Sequence, residues 1–215
     1  MCIRDSNSAY IDIVTGIGML AFGVNFNLYY YMLIRKFSLA YKNEELRTYL
    51  GIIATATLLI GLNVMKLYDN FGEALRHSFF MTASTITSTG FATVDTASWP
   101  VFSQTLMLLL MFVGACAGST GGGMKVSRII ILVKTGFKEL KYIVNPRAVT
   151  TVKMDGKPVE RDVIRGVTSY FILFMMLFSI SLLIVSFDKY SIEESLSAVI
   201  TCMNNIGFGA VSYTH

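Results

Sequence analysis

The segment from Ser78 to Val94 constrains the fold more than any other part of the chain. It reads SFFMTASTITSTGFATV and carries no charge, yet it has too many Ser and Thr residues for a helix that faces lipid. Its first part, to about Ile86, has the length and apolar content of a short helix, and Gly90 lies in the backbone that follows. Non-helical backbone at membrane depth is tolerated only where protein buries it or where it lines a water-filled path. The segment therefore predicts a re-entrant pore helix that ends in a filter loop.

The same pattern occurs a second time further along the chain. In the first copy Glu73-Ala74-Leu75 leads to Gly90-Phe91. In the second copy Glu194-Ser195-Leu196 leads to Gly207-Phe208, over a distance that is shorter by four residues, about one helical turn. The predicted unit is a helix, an outer turn, a half-helix, a glycine-centred loop and a second helix. The predicted filter residues are Ser88, Thr89, Gly90 and Phe91 in the first loop and Asn205, Ile206, Gly207 and Phe208 in the second.

The composition places the chain in a lipid bilayer. Hydrophobic residues make up 53% of the 215 residues and charged residues only 15%, which is unlike an ordinary soluble domain. Crossing the hydrocarbon core of about 30 Å takes about 20 residues of helix. The charge-free stretches that meet this need are Ile13 to Ile34, Tyr49 to Met65, Thr96 to Met124 and Gly166 to Phe187. The three cysteines are isolated in the sequence, so neither a disulfide framework nor a metal site is indicated.

The basic residues are concentrated on one predicted side of the membrane. If the first span runs inward, all ten Lys and Arg residues from Lys125 to Arg165 fall in the cytoplasm, as the positive-inside rule requires. The opposite side carries acidic residues, which would attract cations to an outer mouth or would simply be solvated loop residues. These acids are Asp69, Glu73, Asp95, Asp188, Glu193 and Glu194. In the basic connection, the segment from Thr150 to Val159 predicts a hairpin with Asp155-Gly156 as its turn.

A glycine-rich stretch interrupts the third apolar segment. Five glycines lie between positions 114 and 123, and each disfavours helix by about 1 kcal/mol relative to Ala. A nucleotide-binding phosphate loop is not expected, because Met124 separates Gly123 from Lys125. Flexible backbone at this depth predicts a gating loop, with close helix packing through small residues as the alternative. The predicted gating residues are Gly114, Gly118, Ser119, Thr120, Gly121, Gly122, Gly123 and Lys125.

Five short motifs run through nearly the whole chain, from about Gly18 onward. They are Asn25-Phe26-Asn27-Leu28-Tyr29-Tyr30, Glu44-Glu45-Leu46-Arg47, Ser88-Thr89-Gly90-Phe91, Ala117-Gly118-Ser119-Thr120-Gly121-Gly122-Gly123-Met124-Lys125 and Asn204-Asn205-Ile206-Gly207. In this order and spacing they resemble the TrkH/TrkG/KtrB superfamily of bacterial potassium uptake proteins.

The resemblance implies an all-α polytopic membrane protein with repeated helix–pore-loop–helix units of the potassium-channel-like type. Four such units surround one pore in that family, and the set is expected to be incomplete in this chain. The implied division is a polar tail over residues 1–9, the last transmembrane helix of the second unit over 10–36, the third unit over 46–135, a cytoplasmic loop over 136–162, and the fourth unit without its final helix over 163–215.

The resemblance also implies a function, namely ion conduction for potassium uptake across the bacterial cytoplasmic membrane. Backbone carbonyls of the filter residues would hold K⁺ in place of its water shell, and no cofactor is implied. The implied partners are membrane lipid, a second copy in a homodimer and a cytoplasmic nucleotide-binding regulatory subunit of the TrkA/KtrA type, with no nucleic acid. Two alternatives stay open: a secondary transporter that binds substrate at broken helices, and an intramembrane enzyme, for which the spans offer no paired catalytic groups.

Overall fold

The computed structural model describes residues 8–145, 151–187 and 191–209. This part of the chain forms nine α-helices and one small β-hairpin. The helices are α1 (Ala9–Phe22), α2 (Phe26–Leu33), α3 (Phe37–Tyr41), α4 (Glu44–Val64), α5 (Phe71–Ile86), α6 (Val101–Phe112), α7 (Val126–Val144), α8 (Arg161–Val185) and α9 (Ile192–Met203). The strands β1 (Lys153–Met154) and β2 (Lys157–Pro158) lie between α7 and α8. Residues 1–7 of the predicted polar tail lie outside the described residues, whereas Ser8 is the N-cap of α1 and Ala9 is its first residue.

Two of these helices are long and apolar enough to cross a membrane. They are α4, continued by a 3-10 turn to Leu67, and α8. The helices α1 and α2 would count as a third span, but the chain bends by 92° between them. The apolar stretch from Ile13 to Ile34 is therefore two helices joined by a sharp bend rather than one straight helix. The break has a local cause, because the Asn25 side chain accepts a hydrogen bond from the Asn27 amide at 2.9 Å and so starts a new helix.

The predicted interruption of the third apolar segment is confirmed, since α6 ends at Phe112 and α7 begins only at Val126. The helix ends differ from the boundaries expected at residues 135 and 163. Helix α7 continues to Val144, and α8 begins at Arg161. Residues 136–144 are helical rather than part of a loop, because this mixed-charge segment is rich in Lys, Glu and Leu, which favour helix.

The predicted hairpin is confirmed, and it is docked onto α4. Asp155 and Gly156 both have positive φ, 51° and 78°, as a tight two-residue hairpin turn requires. The Asp155 carboxylate accepts a hydrogen bond from the Glu44 amide at 2.7 Å and another from the Asn43 side-chain amide at 3.1 Å. The turn of the hairpin therefore caps the beginning of α4.

Helix α5 lies at the centre of the described structure, in contact with α1, α4 and α6. Nearly all of its residues from Ala74 onward are buried, including several Ser and Thr. Two of these hydroxyls bond within the helix, as Ser78 donates to the Ala74 carbonyl and Thr85 to the Met81 carbonyl, each at 2.7 Å. A helix of this composition is thus buried in protein rather than exposed to lipid, as its sequence predicts.

An ion pair that the sequence did not reveal joins α1 to α5. Asp12 is buried, and its carboxylate lies 3.4 Å from the Arg76 Nε. We expect Asp12→Asn to lower the free energy of unfolding by about 2 kcal/mol, less than for a fully buried pair because Arg76 is partly exposed. In detergent this corresponds to a thermal midpoint lower by about 4–8 °C.

The matched control is Glu73→Gln, which removes a second carboxylate 3.8 Å from the same guanidinium. The Glu73 side chain is 41% exposed, against 9% for Asp12, so its loss should change stability by less than about 0.5 kcal/mol. Equal shifts for the two variants would contradict the structural role assigned to Asp12.

Candidate functional site

The first loop, residues 88–91, follows directly from the end of α5. Thr87 caps the helix, and its hydroxyl lies 2.7 Å from the Thr89 hydroxyl. The Thr89 amide donates to the Ser84 carbonyl at 2.9 Å. Ser88 and Gly90 have positive φ values of 54° and 80°. The chain therefore leaves the helix through a hydrogen-bonded turn in which two residues adopt the left-handed backbone conformation.

The second loop, residues 205–208, repeats this turn 117 positions later in the sequence. Asn205 has a φ of 53° and Gly207 a φ of 97°, at the positions that correspond to Ser88 and Gly90. The Ile206 amide donates to the Thr201 carbonyl at 3.0 Å, which corresponds to the bond from Thr89 to Ser84. The two loops therefore share one backbone conformation, although their sequences agree only in the Gly-Phe pair.

In both loops the carbonyl groups past the helix end are left without helical partners. Among the described residues, no hydrogen bond is made to the carbonyl oxygens of positions 88–90 or 205–207. These oxygens are acceptors that bulk water or a cation could engage. Such a row of free carbonyls is what a filter for a monovalent cation needs.

The two loops meet at their glycines. A Cβ built on Gly90 would lie 2.0 Å from the Ile206 carbonyl oxygen and 3.3 Å from the Gly207 Cα. The reverse contact is looser, since a Cβ on Gly207 would meet only the Gly90 Cα, at 3.6 Å. The sequence predicted these two glycines as equivalent, and the structure adds that they touch each other.

The glycine loop, residues 114–123, lies against both of these loops. The Gly122 amide donates to the Ser88 hydroxyl at 3.2 Å. A Cβ on Gly122 would lie 2.2 Å from the Asn204 carbonyl oxygen, and one on Gly121 would lie 3.1 Å from the Thr87 carbonyl oxygen. Glycines at these positions therefore let three stretches of backbone approach one another more closely than side chains would permit.

The base of the glycine loop is closed by its own backbone. The Gly114 amide donates to the Met124 carbonyl at 2.8 Å, and the Val126 amide donates to the Ala115 carbonyl at 3.2 Å. The Lys125 ammonium turns back into the loop, where it bonds to the Gly121 carbonyl and lies 3.4 Å from the Ser119 hydroxyl. The loop is therefore a closed structure with its own internal cation.

The structure brings most of the predicted site residues together, but not all of them. Gly118 lies away from the two loops, next to the Asn25 side chain, and the Ser119 hydroxyl donates to the Cys116 carbonyl at 2.6 Å. Thr120 and Phe91 are exposed. Phe208, in contrast, packs against the buried core. The contact zone is therefore formed by the glycines and by the residues that end the two half-helices.

Sequence reasoning missed three side chains that hold this arrangement in place. Asn204 is completely buried, and its side-chain amide donates to the Met111 carbonyl at 2.8 Å. The Thr201 hydroxyl donates to the Phe208 carbonyl at 3.0 Å and so fixes the second loop. The Thr87 hydroxyl contacts the first loop differently, since it donates to the Ala83 carbonyl and lies 2.7 Å from the Thr89 hydroxyl. Asn204 belongs to one of the five short motifs, and all three residues lie in the last turn of a half-helix or at its end.

Comparison with known proteins was consistent across three kinds of match. The family profile of TrkH, described as a cation transport protein, matches residues 3–212. The Trk system potassium uptake protein TrkH of Salmonella typhimurium is 32% identical over 206 residues, which are 94% of this chain and 43% of that protein. The Trk system potassium uptake protein TrkG of Escherichia coli is 34% identical, over 94% of this chain and 42% of that protein.

A solved structure agrees with the observed fold. The crystal structure of the potassium transporter TrkH from Vibrio parahaemolyticus aligns with a TM-score of 0.89 and 32% identity, over 99% of this chain and 47% of that chain. This chain thus spans less than half the length of these relatives. The agreement confirms the predicted all-α membrane fold with helix–pore-loop–helix units. Since the profile match extends over almost the entire sequence, the chain belongs to the TrkH family of cation transport proteins.

Proposed function

We propose that this chain forms part of a potassium uptake pathway, in which the first and second loops supply backbone carbonyls to the permeating ion. The observation that carries the proposal is the repeated backbone conformation of the two loops, which meet at Gly90 and Gly207. The relatives are named as potassium uptake proteins, and a cation of this kind is bound by carbonyl oxygens that replace its water shell.

The location of the chain agrees with this role. As a member of the family, with at least two helices of membrane length, it is a multi-pass protein of the bacterial cytoplasmic membrane. On this proposal α4 to α7 form one pore unit, and α8 and α9 begin the next. The bound potassium is the transported ion, and the residues that hold it are those of the two loops.

The glycine loop is proposed as the gate of the same pathway. Its contacts with Ser88 and Asn204 put it directly beside both loops. Five glycines within ten positions make its backbone easy to displace. The loop would block the ion with its own bulk and would move when α7, which follows it immediately, is displaced.

Two partners belong to the proposal. A cytoplasmic nucleotide-binding subunit of the TrkA/KtrA type would meet the basic surface of α7 and the hairpin, which the positive-inside rule places in the cytoplasm. A second copy of the protein would complete a homodimer in the lipid. If removal of the nucleotide-binding subunit abolishes gating while the pathway stays selective, the result supports separate roles for that subunit in gating and for this chain in selectivity.

The experiment that tests the function uses a hybrid transporter. In it this chain replaces the matching segment of TrkH from Vibrio parahaemolyticus, whose fold it shares. We expect the hybrid to restore growth at low potassium in a strain without other uptake systems. Rubidium uptake by the hybrid should be inhibited by potassium at lower concentration than by sodium.

The control is the same host protein with the segment deleted, which should give no uptake. A hybrid that reaches the membrane in normal amount but shows no cation-dependent rubidium uptake would contradict the proposed function. If potassium and sodium inhibit the uptake equally, the hybrid conducts ions, but the two loops are not a potassium-selective filter.

A further inference from the structure

Glu45 occupies an unusual position at the start of α4. Its side chain is buried, with only 3% of the residue exposed. One carboxylate oxygen, Oε1, accepts a hydrogen bond from the Ala117 amide at 2.6 Å and another from the Ser127 amide at 3.1 Å. Ala117 belongs to the glycine loop, and Ser127 lies in the first turn of α7. A single oxygen atom therefore ties the loop to the helix that follows it.

The chemistry of this contact explains why an acid is buried here. A carboxylate is costly to bury unless hydrogen bonds compensate it, and the first amides of a helix such as α7 have no partner within the helix. Glu45 supplies a charged acceptor to one of these amides and to one amide of the loop. Charge-assisted hydrogen bonds of this kind are about twice as strong as neutral ones.

We propose that Glu45 is the positioning residue that holds the glycine loop against the first and second loops. The proposal rests on the function proposed above for the glycine loop. The loop bonds to Ser88 through one amide, and its glycines give it little stiffness of its own. The two bonds to Glu45 hold Ala117 of the loop and the first turn of α7 at one point of α4, and so determine how far the loop reaches.

The position of Glu45 is itself fixed from the cytoplasmic side. The neighbouring Glu44 bonds through its carboxylate to the Lys134 ammonium at 2.5 Å, and through its amide to Asp155 in the hairpin. Lys134 also donates to the Lys153 carbonyl at 2.7 Å. The hairpin, α7 and α4 therefore meet one residue away from Glu45. A displacement of the hairpin would reach the glycine loop through this short connection.

The first test measures hydrogen exchange in the hybrid transporter, with the variants Glu45→Gln and Glu45→Ala. Loss of a charge-assisted bond should make the amides of Ala117 and Ser127 exchange about tenfold faster in Glu45→Ala, and by a smaller factor in Glu45→Gln. Glu139→Gln is the matched control, because it removes the same charge from an exposed position on α7. If Glu45→Gln folds and the exchange of both amides is unchanged in it, the positioning role is overturned.

The second test measures rubidium uptake by the same variants. A loop released from Glu45 should block less well, so uptake should rise several-fold while potassium still competes better than sodium. A residue with a merely structural role would instead lower the thermal midpoint and the uptake together, and that result would overturn the proposal. Faster exchange with unchanged uptake would keep Glu45 as the positioning residue and would reject the glycine loop as the gate.

Discussion

Gly90→Ala is expected to abolish most of the discrimination between potassium and sodium in the hybrid transporter. The added Cβ would lie 2.0 Å from the Ile206 carbonyl oxygen, which is backbone and cannot rotate away. The residue would also be held at a φ of 80°, where a side chain is strained. Strain at such a site is worth about 1–3 kcal/mol, so a preference for potassium should fall by about tenfold or more.

The measurement is the concentration of sodium, relative to potassium, that halves rubidium uptake. Two glycine variants calibrate the result. In Gly207→Ala the added methyl group meets no backbone atom closer than 3.6 Å, so only the positive φ of this residue causes strain. Its effect on selectivity should therefore be smaller. Gly166→Ala in α8 adds a methyl group into open space and should have no effect on selectivity. If the competition between sodium and potassium is unchanged in Gly90→Ala, the assignment of Gly90 to the filter is wrong.

Deletion of residues 118–122 is expected to give the second large effect, a rise in uptake of about tenfold with poor regulation. These residues lie between the two sides of the loop base, where Gly114 bonds to Met124 and Val126 bonds to Ala115. The base can therefore stay closed when the tip is removed. The contact between Gly122 and the Asn204 carbonyl would be lost. Each 1.4 kcal/mol by which the loop raises the barrier to ion passage corresponds to a tenfold change in flux.

The deletion also separates gating from simple packing. A packing role for the small residues predicts less folded protein, with uptake reduced in proportion. The amount of protein in the membrane and its thermal midpoint should therefore be measured beside rubidium uptake. The control is Gly136→Ala in α7, outside the glycine loop, where an added methyl group meets nothing within 4 Å. Low uptake in a deletion variant that is present in normal amount would contradict the gate.

The features that depend on local sequence were predictable. A second half-helix was expected before the loop that contains Gly207, and α9 (Ile192–Met203) lies there. The turn at Asp155-Gly156 and the interruption before Val126 follow from the backbone preferences of glycine and its neighbours. The resemblance of the two glycine-centred loops was also visible, because Gly-Phe recurs after a helix that has acidic character in its first turn and ends in an uncharged stretch containing Ser and Thr.

The features that depend on contacts between distant segments were not predictable. The 92° bend before Asn25 was hidden in an unbroken apolar stretch. Neither Asp12 nor Glu45 stood out as a buried acid, since each is buried by partners that are 64 or more positions away in the sequence. The residues that hold the candidate site are thus harder to find than the glycines that form it.

The two half-helices have a common electrostatic consequence. Both α5 and α9 end at the loops, and the C-terminal end of a helix carries the equivalent of about half a negative charge. Where the loops touch, two such ends lie close together, and both arise from peptide groups rather than from side chains. Peptide dipoles neither gain nor lose protons in the physiological range. The attraction for a cation at this point is therefore expected to persist at acid pH, where clusters of carboxylates would lose theirs.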